Sequence, residues 1–484
     1  MIGTSAADGI PLPGIRVWLG RLLADLNSGR SCLWLLPRKM LDDTDNQVDR
    51  LLDDVLHELA DFVLLPSDET PGSASVRSTV SGRPRAARQW SGLAPVPDFD
   101  DGLPDLLTAR IPVPTEPGPP VPPTPAEALA GLLERLGKEL NFTGDRDAAS
   151  PDPTDDVLTR LTGGGTGTVE TRPVVVRAWR EPVPSAATHL LRRLVATTKE
   201  AGLPPDRRPR ALVMASTETL PTGLPDQLAR EDIAVHWWWG ATGRLDTATV
   251  VALARPLLGS TMERRHLHEA VTQATITEVC GPYLDIAGAL ASCWHDGRPE
   301  TLMSALHEVL ACLPGPAAIP SQRVEGTRHP GRRPDEKLLV AWNAGTIDSW
   351  DGRLRHRPGR DLTHEQAVSA RVWLAQNHVL LPLLDDARDQ FTATVRLRAR
   401  VPLARLAQDY GPRREPGTPA EPACSAVDMM ELGAMWSAHC DGAIRLTPAE
   451  RRRLRTIRDA RNRLAHRAPL DSPRLHFLIE ELCY

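Results

Sequence analysis

Three residues near the C-terminus have the types and spacing to cut RNA without a metal. They are Arg461, Asn462 and His466, in the run Arg461-Asn462-Arg463-Leu464-Ala465-His466. Cleavage by a 2′-hydroxyl needs that hydroxyl's proton removed, the phosphorane's charge stabilised and the leaving oxygen protonated. Histidine titrates near neutrality and suits the proton transfers. Arginine is permanently charged and forks onto phosphate oxygens. On a helix, positions five apart lie about 140° apart around the axis, so Arg461 and His466 are not stacked, though a long arginine can reach round. Asn462, four before His466, shares its face and can hydrogen-bond to it. One arginine and one histidine are few for this work, so a two-fold homodimer that brings two copies into one cleft suits the chemistry. The plainer account of His466 is a cation at a helix C-terminus, favoured by about 0.3–1 kcal/mol.

The surroundings are basic. From Arg445 to Arg467 there are nine arginines, interrupted by Glu450 and Asp459. Arg455, Arg458, Arg463 and Arg467 are the candidate RNA contacts among them. The whole chain has a formal net charge of −5, so any nucleic-acid surface must be local. The element that carries these residues starts at Thr447-Pro448-Ala449-Glu450, with Thr as N-cap, Pro at the first helical position and Glu at the third. The spacing predicts this helix over 447–465, with others at about 400–409, 425–440 and 472–482. A long helix opens at Thr363-His364-Glu365-Gln366 and carries Val368, Val372, Trp373, Leu380, Leu381 and Leu384, with Pro382 expected to kink or end its first part.

The run RNRLAH resembles the Rx4–6H motif of HEPN domains, in which Asn commonly follows the Arg. LRTIRDA before it and RAPLD after it are similar to that family's helix and exit loop, and residues 361–484 suit its helical bundle. The resemblance covers about a quarter of the chain. It implies that Arg461 and His466 are catalytic and Asn462 supportive, in a metal-independent endoribonuclease that needs no cofactor, takes RNA as its partner and dimerises through the helical domain. The family includes ribonucleases of toxin–antitoxin, CRISPR-linked and anti-phage systems.

Residues 1–260 read as α/β, a mostly parallel sheet with flanking helices. Ile15 to Leu26 is amphipathic. Ser31 to Pro37 is a strand buried on both faces, Asp49 to Leu59 a helix, and Phe62 to Pro66 a strand. Further strands are expected at 174–179, 210–216 and 233–239, and helices at 126–140, 185–201 and 246–258. Proline-rich stretches interrupt this order at 67–125, which favours extended polyproline, and at 143–172, which reads as loop. Residues 261–312 look helical with a break at Cys280-Gly281-Pro282, and 313–360 form a loop-rich connector.

The order of strand, loop and helix at 31–59 resembles a P-loop NTPase core. The loop after the strand has Lys39 and Thr44 but no glycine, and Asp42, Asp43 and Asp45 would repel phosphate, so ATP is not expected to bind. Of the acidic pair expected after the strand at 174–179, only Glu181 is present. RALVMAST resembles the strand that senses nucleotide state in AAA+ and STAND-type ATPases, with Ser216 and Thr217 in the polar place. The half is thus similar in layout to those ATPases but degenerate. GGGTGT at 163–168 lacks a lysine and a leading strand and reads as linker. Trp237, Trp238 and Trp239 could stack bases, but on a strand they alternate faces, and packing or a protein contact is the better use.

Composition sets the outer bounds. A chain of 484 residues, 41% hydrophobic and 25% charged, holds two or three globular domains. Its 45 prolines, abundant Arg and Ala, and only three Tyr and five Phe fit a GC-rich bacterial genome. The seven cysteines show no CxxC spacing, which suits a reduced cytoplasm and no zinc site. Neither a signal peptide nor a membrane span is expected. Two functions of different class fit: a defence or toxin ribonuclease with a sensing or docking module, and a non-enzymatic adaptor within a larger defence complex.

Overall fold

A computed structural model describes residues 12–42, 47–59, 61–67, 123–142, 153–164, 169–255, 263–313, 327–329, 331–359, 365–412 and 423–483. Most of the proline-rich stretch at 67–125 lies outside these residues. So do Asp43, Thr44 and Asp45, the second half of the glycine run, and the expected N-cap at Thr363.

The first half is a five-stranded, all-parallel sheet in the order β2-β3-β4-β1-β5. The strands are β1 (Cys32–Leu36), β2 (Val63–Leu64), β3 (Val174–Arg177), β4 (Ala211–Ser216) and β5 (Ala234–Trp237). The helices between them are α1 (Pro13–Asn27), α2 (Arg38–Leu41), α3 (Gln47–Leu59), α4 (Pro125–Glu139), α5 (Pro153–Leu161), α6 (Pro184–Glu200) and α7 (Leu224–Arg230). Every residue of β1 and β4 is buried, as a central parallel strand covered on both faces requires. Leu33 stands beside Val213 on one side and Val235 on the other. Of the three tryptophans, Trp238 packs into the core 4.8 Å from Trp18 and 5.8 Å from Trp34. Trp237 lies 5.7 Å from Trp342, and Trp239 lies 5.3 Å from His329.

The stretch from 143 to 172 reads as loop, yet α5 forms within it. Its polar, proline-led sequence hides two anchors, Leu158 and Leu161, which are buried in the main core. Packing therefore overrides weak local propensity. The first two glycines of GGGTGT close this helix: Gly163 has φ +87°, and the Gly164 N–H donates to the Thr159 carbonyl at 2.8 Å.

The chain continues through α8 (Arg244–Ala254), α9 (Glu263–Cys280), α10 (Leu284–Cys293), α11 (Leu302–Cys312) and α12 (Leu339–Asn343). The connector then forms an antiparallel hairpin, β6 (Ile347–Trp350) and β7 (Arg353–His356). Asp351 and Gly352, with φ +50° and +72°, make the tight turn that Asp-Gly favours. Ala341, Trp342, Ile347 and Leu354 join the core of the sheet, so this connector packs as part of the α/β unit.

The last part is helical: α13 (Glu365–Arg398), α14 (Leu403–Tyr410), α15 (Ala423–Asp428), α16 (Leu432–Cys440), α17 (Pro448–Ala465) and α18 (Ser472–Leu482). Pro382 does not end the long helix; α13 runs through it. Proline removes the donor to the His378 carbonyl, but Leu380 and Leu384, both 0% exposed, hold the helix in its core on either side. The single helix expected at 425–440 is two. Met430 turns into the core at 0% exposure, and the backbone is extended at Glu431.

One buried carboxylate joins these parts. Glu278 of α9, 0% exposed, accepts from Arg355 of β7 at 2.9 Å and from Arg244 of α8, with His378 Nδ1 of α13 at 3.6 Å. Both guanidinium groups also lie over the Trp350 ring, at 5.0 and 4.7 Å. Removing one member of a buried pair leaves the others uncompensated. Glu278→Ala is therefore expected to lower the unfolding free energy by about 3–5 kcal/mol, read as a fall in the urea midpoint.

Candidate functional site

The helix that carries Arg461 and His466 is fixed at both ends. At its start, Thr447 Oγ1 accepts from the Glu450 N–H at 3.3 Å, and Glu450 accepts from the Thr447 N–H at 2.7 Å. Arg398 of α13 adds a bond to the same carboxylate at 2.9 Å. Burial alone would raise the Glu450 carboxyl, but the bonds from Thr447 and Arg398 outweigh it and hold it below its ordinary value. Along its length, Leu454, Ile457, Ala460 and Leu464 face the bundle core.

The exit is built by two side chains of α13. Trp373 Nε1 donates to the Leu464 carbonyl at 2.6 Å. Gln376, 0% exposed, donates to the Leu470 carbonyl at 2.9 Å and accepts from the Leu470 N–H at 2.6 Å. Between these anchors the helix closes in a Schellman pattern: Arg467 N–H to Leu464 O at 3.1 Å and Ala468 N–H to Arg463 O at 3.0 Å. Arg467 takes the left-handed position with φ +57°, where glycine is usual. His466 is thereby the C-cap residue, and its side chain is exposed.

At 100° per residue, Arg451, Arg455, Asn462 and His466 fall within one stripe of the helix. All four are exposed, so the stripe faces solvent. The His466 imidazole makes no hydrogen bond or ion pair among the described residues. Asn462 and His466 are joined by the backbone bond from His466 N–H to Asn462 O at 3.0 Å; among the described residues no side-chain bond joins them.

Arg461 sits to one side of the stripe. Its Nη2 lies 3.4 Å from Glu431 Oε2, and the two side chains are 35% and 57% exposed, so the pair is weak and open to exchange for a phosphate. Arg458 stacks 4.5 Å over Trp436 and pairs with Asp459 at 2.6 Å, while Arg455 reaches the same carboxylate at 3.7 Å. Arg463 donates to the Pro469 carbonyl at 3.3 Å, and Arg467 lies 5.8 Å over Trp373. These last two arginines serve the exit loop as well as offering charge.

Sequence reasoning did not pick out Glu431, Gln376 or the role of Trp373. The one available signal was a polar Gln376 on the buried face of an amphipathic helix.

The other place of interest is the crevice beyond the carboxyl ends of β1 and β4, where open α/β sheets bind ligands. Here the chain fills it with its own amide. Asn343, 3% exposed, accepts from the Arg38 N–H at 3.3 Å and from Ser216 Oγ at 3.4 Å, and donates to Thr217 Oγ1 at 2.7 Å. Glu181 is tied to Arg135 at 2.5 Å. Among the described residues, no group of three His, Cys, Asp or Glu side chains is set to hold a metal ion. No helix among them is long and apolar enough to cross a membrane.

The chain matches no protein-family profile, no curated protein and no solved structure.

Gln376→Ala would strand the buried N–H and C=O of Leu470, each at a cost of about 1–3 kcal/mol. The variant is expected to unfold at lower urea, with an unchanged slope, and its 466–470 amides to exchange faster with deuterium.

Proposed function

We propose that this protein is a metal-independent endoribonuclease of the HEPN type, the effector of a bacterial anti-phage or toxin system acting in the cytoplasm. The observation that carries the reading is the exposed imidazole of His466, unpartnered among the described residues, at the end of an exposed arginine stripe, with Arg461 in a weak pair with Glu431. In the reaction His466 takes the proton of the 2′-hydroxyl. The 2′-oxygen–phosphorus bond forms as the phosphorus–5′-oxygen bond breaks. Arg461 faces the charge on the phosphorane. The leaving 5′-oxygen takes a proton from a second acid, for which the His466 of a second copy in a homodimer is the natural source. The products are a 2′,3′-cyclic phosphate and a 5′-hydroxyl. Asn462 supports His466 from the same stripe, and Arg455, Arg458, Arg463 and Arg467 hold the RNA backbone.

The α/β unit is read as a degenerate relative of AAA+ and STAND-type ATPases that senses or docks. Two features support this. β4 lies directly beside β1, so Ser216 and Thr217 end next to the loop where a phosphate would sit. Asn343 occupies the polar contacts of that crevice. Magnesium ATP is accordingly expected to leave the melting temperature unchanged, since a ligand bound only to the folded state would raise it.

Purified protein incubated with total RNA and tRNA in EDTA, beside His466→Ala and Arg461→Ala, tests the enzyme reading. Cleavage by the native chain, with a loss of at least about 10²-fold in each variant and unchanged melting, is expected. Activity lost in EDTA and regained with magnesium would place the chemistry elsewhere. Intact RNA in every lane would favour the adaptor.

A further inference from the structure

Arg461 shares its carboxylate with a second arginine. Glu431 opens α16 as its N-cap residue, yet its side chain makes no cap bond to that helix. The carboxylate lies instead between guanidinium groups from two other helices. Oε2 is 3.4 Å from Arg461 Nη2 of α17, and Oε1 is 4.0 Å from Arg388 Nη1 of α13.

The same bundle holds firmer pairs. Arg398 donates to Glu450 at 2.9 Å, and Arg452 donates to Glu481 at 3.1 Å. The Glu431 carboxylate is reached by two arginines and hydrogen-bonded by neither. It is 57% exposed, so water screens both contacts and neither holds it firmly.

The two arginines are less exposed than the acid, at 24% for Arg388 and 35% for Arg461. The Nε atom of each is buried without a hydrogen-bond partner among the described residues, so a ligand meets the outer Nη edges. Arg388 keeps one bond there, from Nη2 to Asp389 at 2.7 Å. A guanidinium has five donors, and the protein leaves most of these unanswered on both residues. A phosphodiester carries one negative charge over two oxygens, as a carboxylate does. Untethered to α16, it can close the distances that Glu431 leaves open and take charge-assisted hydrogen bonds from both forks.

We infer that Glu431 is an internal stand-in for an RNA phosphate. An incoming phosphodiester displaces it and is held between Arg461 and Arg388. Arg388 is then a further RNA-binding residue of the His466 surface, and Glu431 a brake on that binding. That RNA is the ligand rests on the ribonuclease reading, so binding is measured apart from cleavage and each can fail alone.

The test is fluorescence anisotropy of the full chain with a labelled, mixed-sequence 2′-O-methyl RNA, which cannot be cut because its 2′-oxygen has no proton to lose. Glu431→Gln keeps the shape, removes the charge and should tighten binding about threefold. Arg388→Ala should weaken it several-fold and make the fall of log K with log salt shallower by about 0.7, the share of one phosphate contact on a single strand. Arg388→Lys keeps the charge and should restore that slope. In the Arg388→Ala, Arg461→Ala double variant, Glu431→Gln should change nothing. No binding by the native chain overturns the inference. So does unchanged affinity in Glu431→Gln, an unchanged salt slope in Arg388→Ala, or equal tightening by Glu431→Gln in the double variant, which would make its effect one of distant charge. Any of these beside His466-dependent cleavage of ordinary RNA leaves the ribonuclease reading standing alone. The expected binding changes with ordinary RNA left intact would do the reverse.

Discussion

The carboxylate of Glu278 is where the separate parts of the chain are forced to meet. A buried charge costs several kcal/mol unless it is paired and hydrogen-bonded. Its partners come from four elements: Arg244 on α8, Arg355 on the hairpin strand β7, His378 on α13, and the Trp350 ring that supports both guanidinium groups. One residue further along α9, the Val279 carbonyl accepts from the buried Arg371 of α13 at 2.7 Å. Gly281, with φ +57°, then turns the chain, and the Arg355 side chain packs against it. Together they leave few ways to arrange the sheet, the middle helices and the bundle without stranding a charge.

That constraint could not be read from the sequence. Glu278 sits in an ordinary helical run, and its two arginines lie 34 and 77 positions away. The strands were legible because a buried parallel strand must be a short apolar run, as CLWLL and ALVMAS are. The helix at 447–465 was legible because its capping box is local chemistry. What failed was whatever tertiary packing decides. α5 depends on Leu158 and Leu161 finding the core. The helix runs through Pro382, where a kink or an end is expected from proline's plain local cost, because the burial of Leu380 and Leu384 holds it on either side. The hairpin at 347–356 did carry a local signal, Asp351-Gly352, that a loop-rich composition masked.

The candidate site divides the same way. Arg461, Asn462 and His466 were visible as types at a spacing. The side chains that fix them were not, since Trp373 and Gln376 act from 91 and 94 positions away. The two polar centres also differ in kind. At the crevice by β1, Asn343 satisfies the Arg38 amide and the Ser216 and Thr217 hydroxyls, so the chain answers its own polar groups. At the end of α17 the His466 imidazole has no such answer among the described residues, and Arg461 only a distant carboxylate at 3.4 Å. The two centres thus differ in what the described residues supply: full internal partners at the first, an exposed imidazole without one at the second.

α13 ties these regions together. Within eight positions it presents Arg371 and His378 to the Glu278 network and Trp373 and Gln376 to the exit of α17. Arg371 and His378 are about 10 Å apart along the helix axis, roughly two turns. A shift of α13 large enough to free His378 or Arg371 would therefore displace Gln376 from Leu470, and the loop after His466 would lose both of its backbone anchors at once. The physical requirement for coupling between the sheet and the His466 surface is a rigid element that both ends bias. α13 offers such an element, since the bonds from Arg371 to the Val279 carbonyl and from Gln376 to the Leu470 carbonyl, at 2.7 and 2.9 Å, are buried and lie within about two turns of one helix.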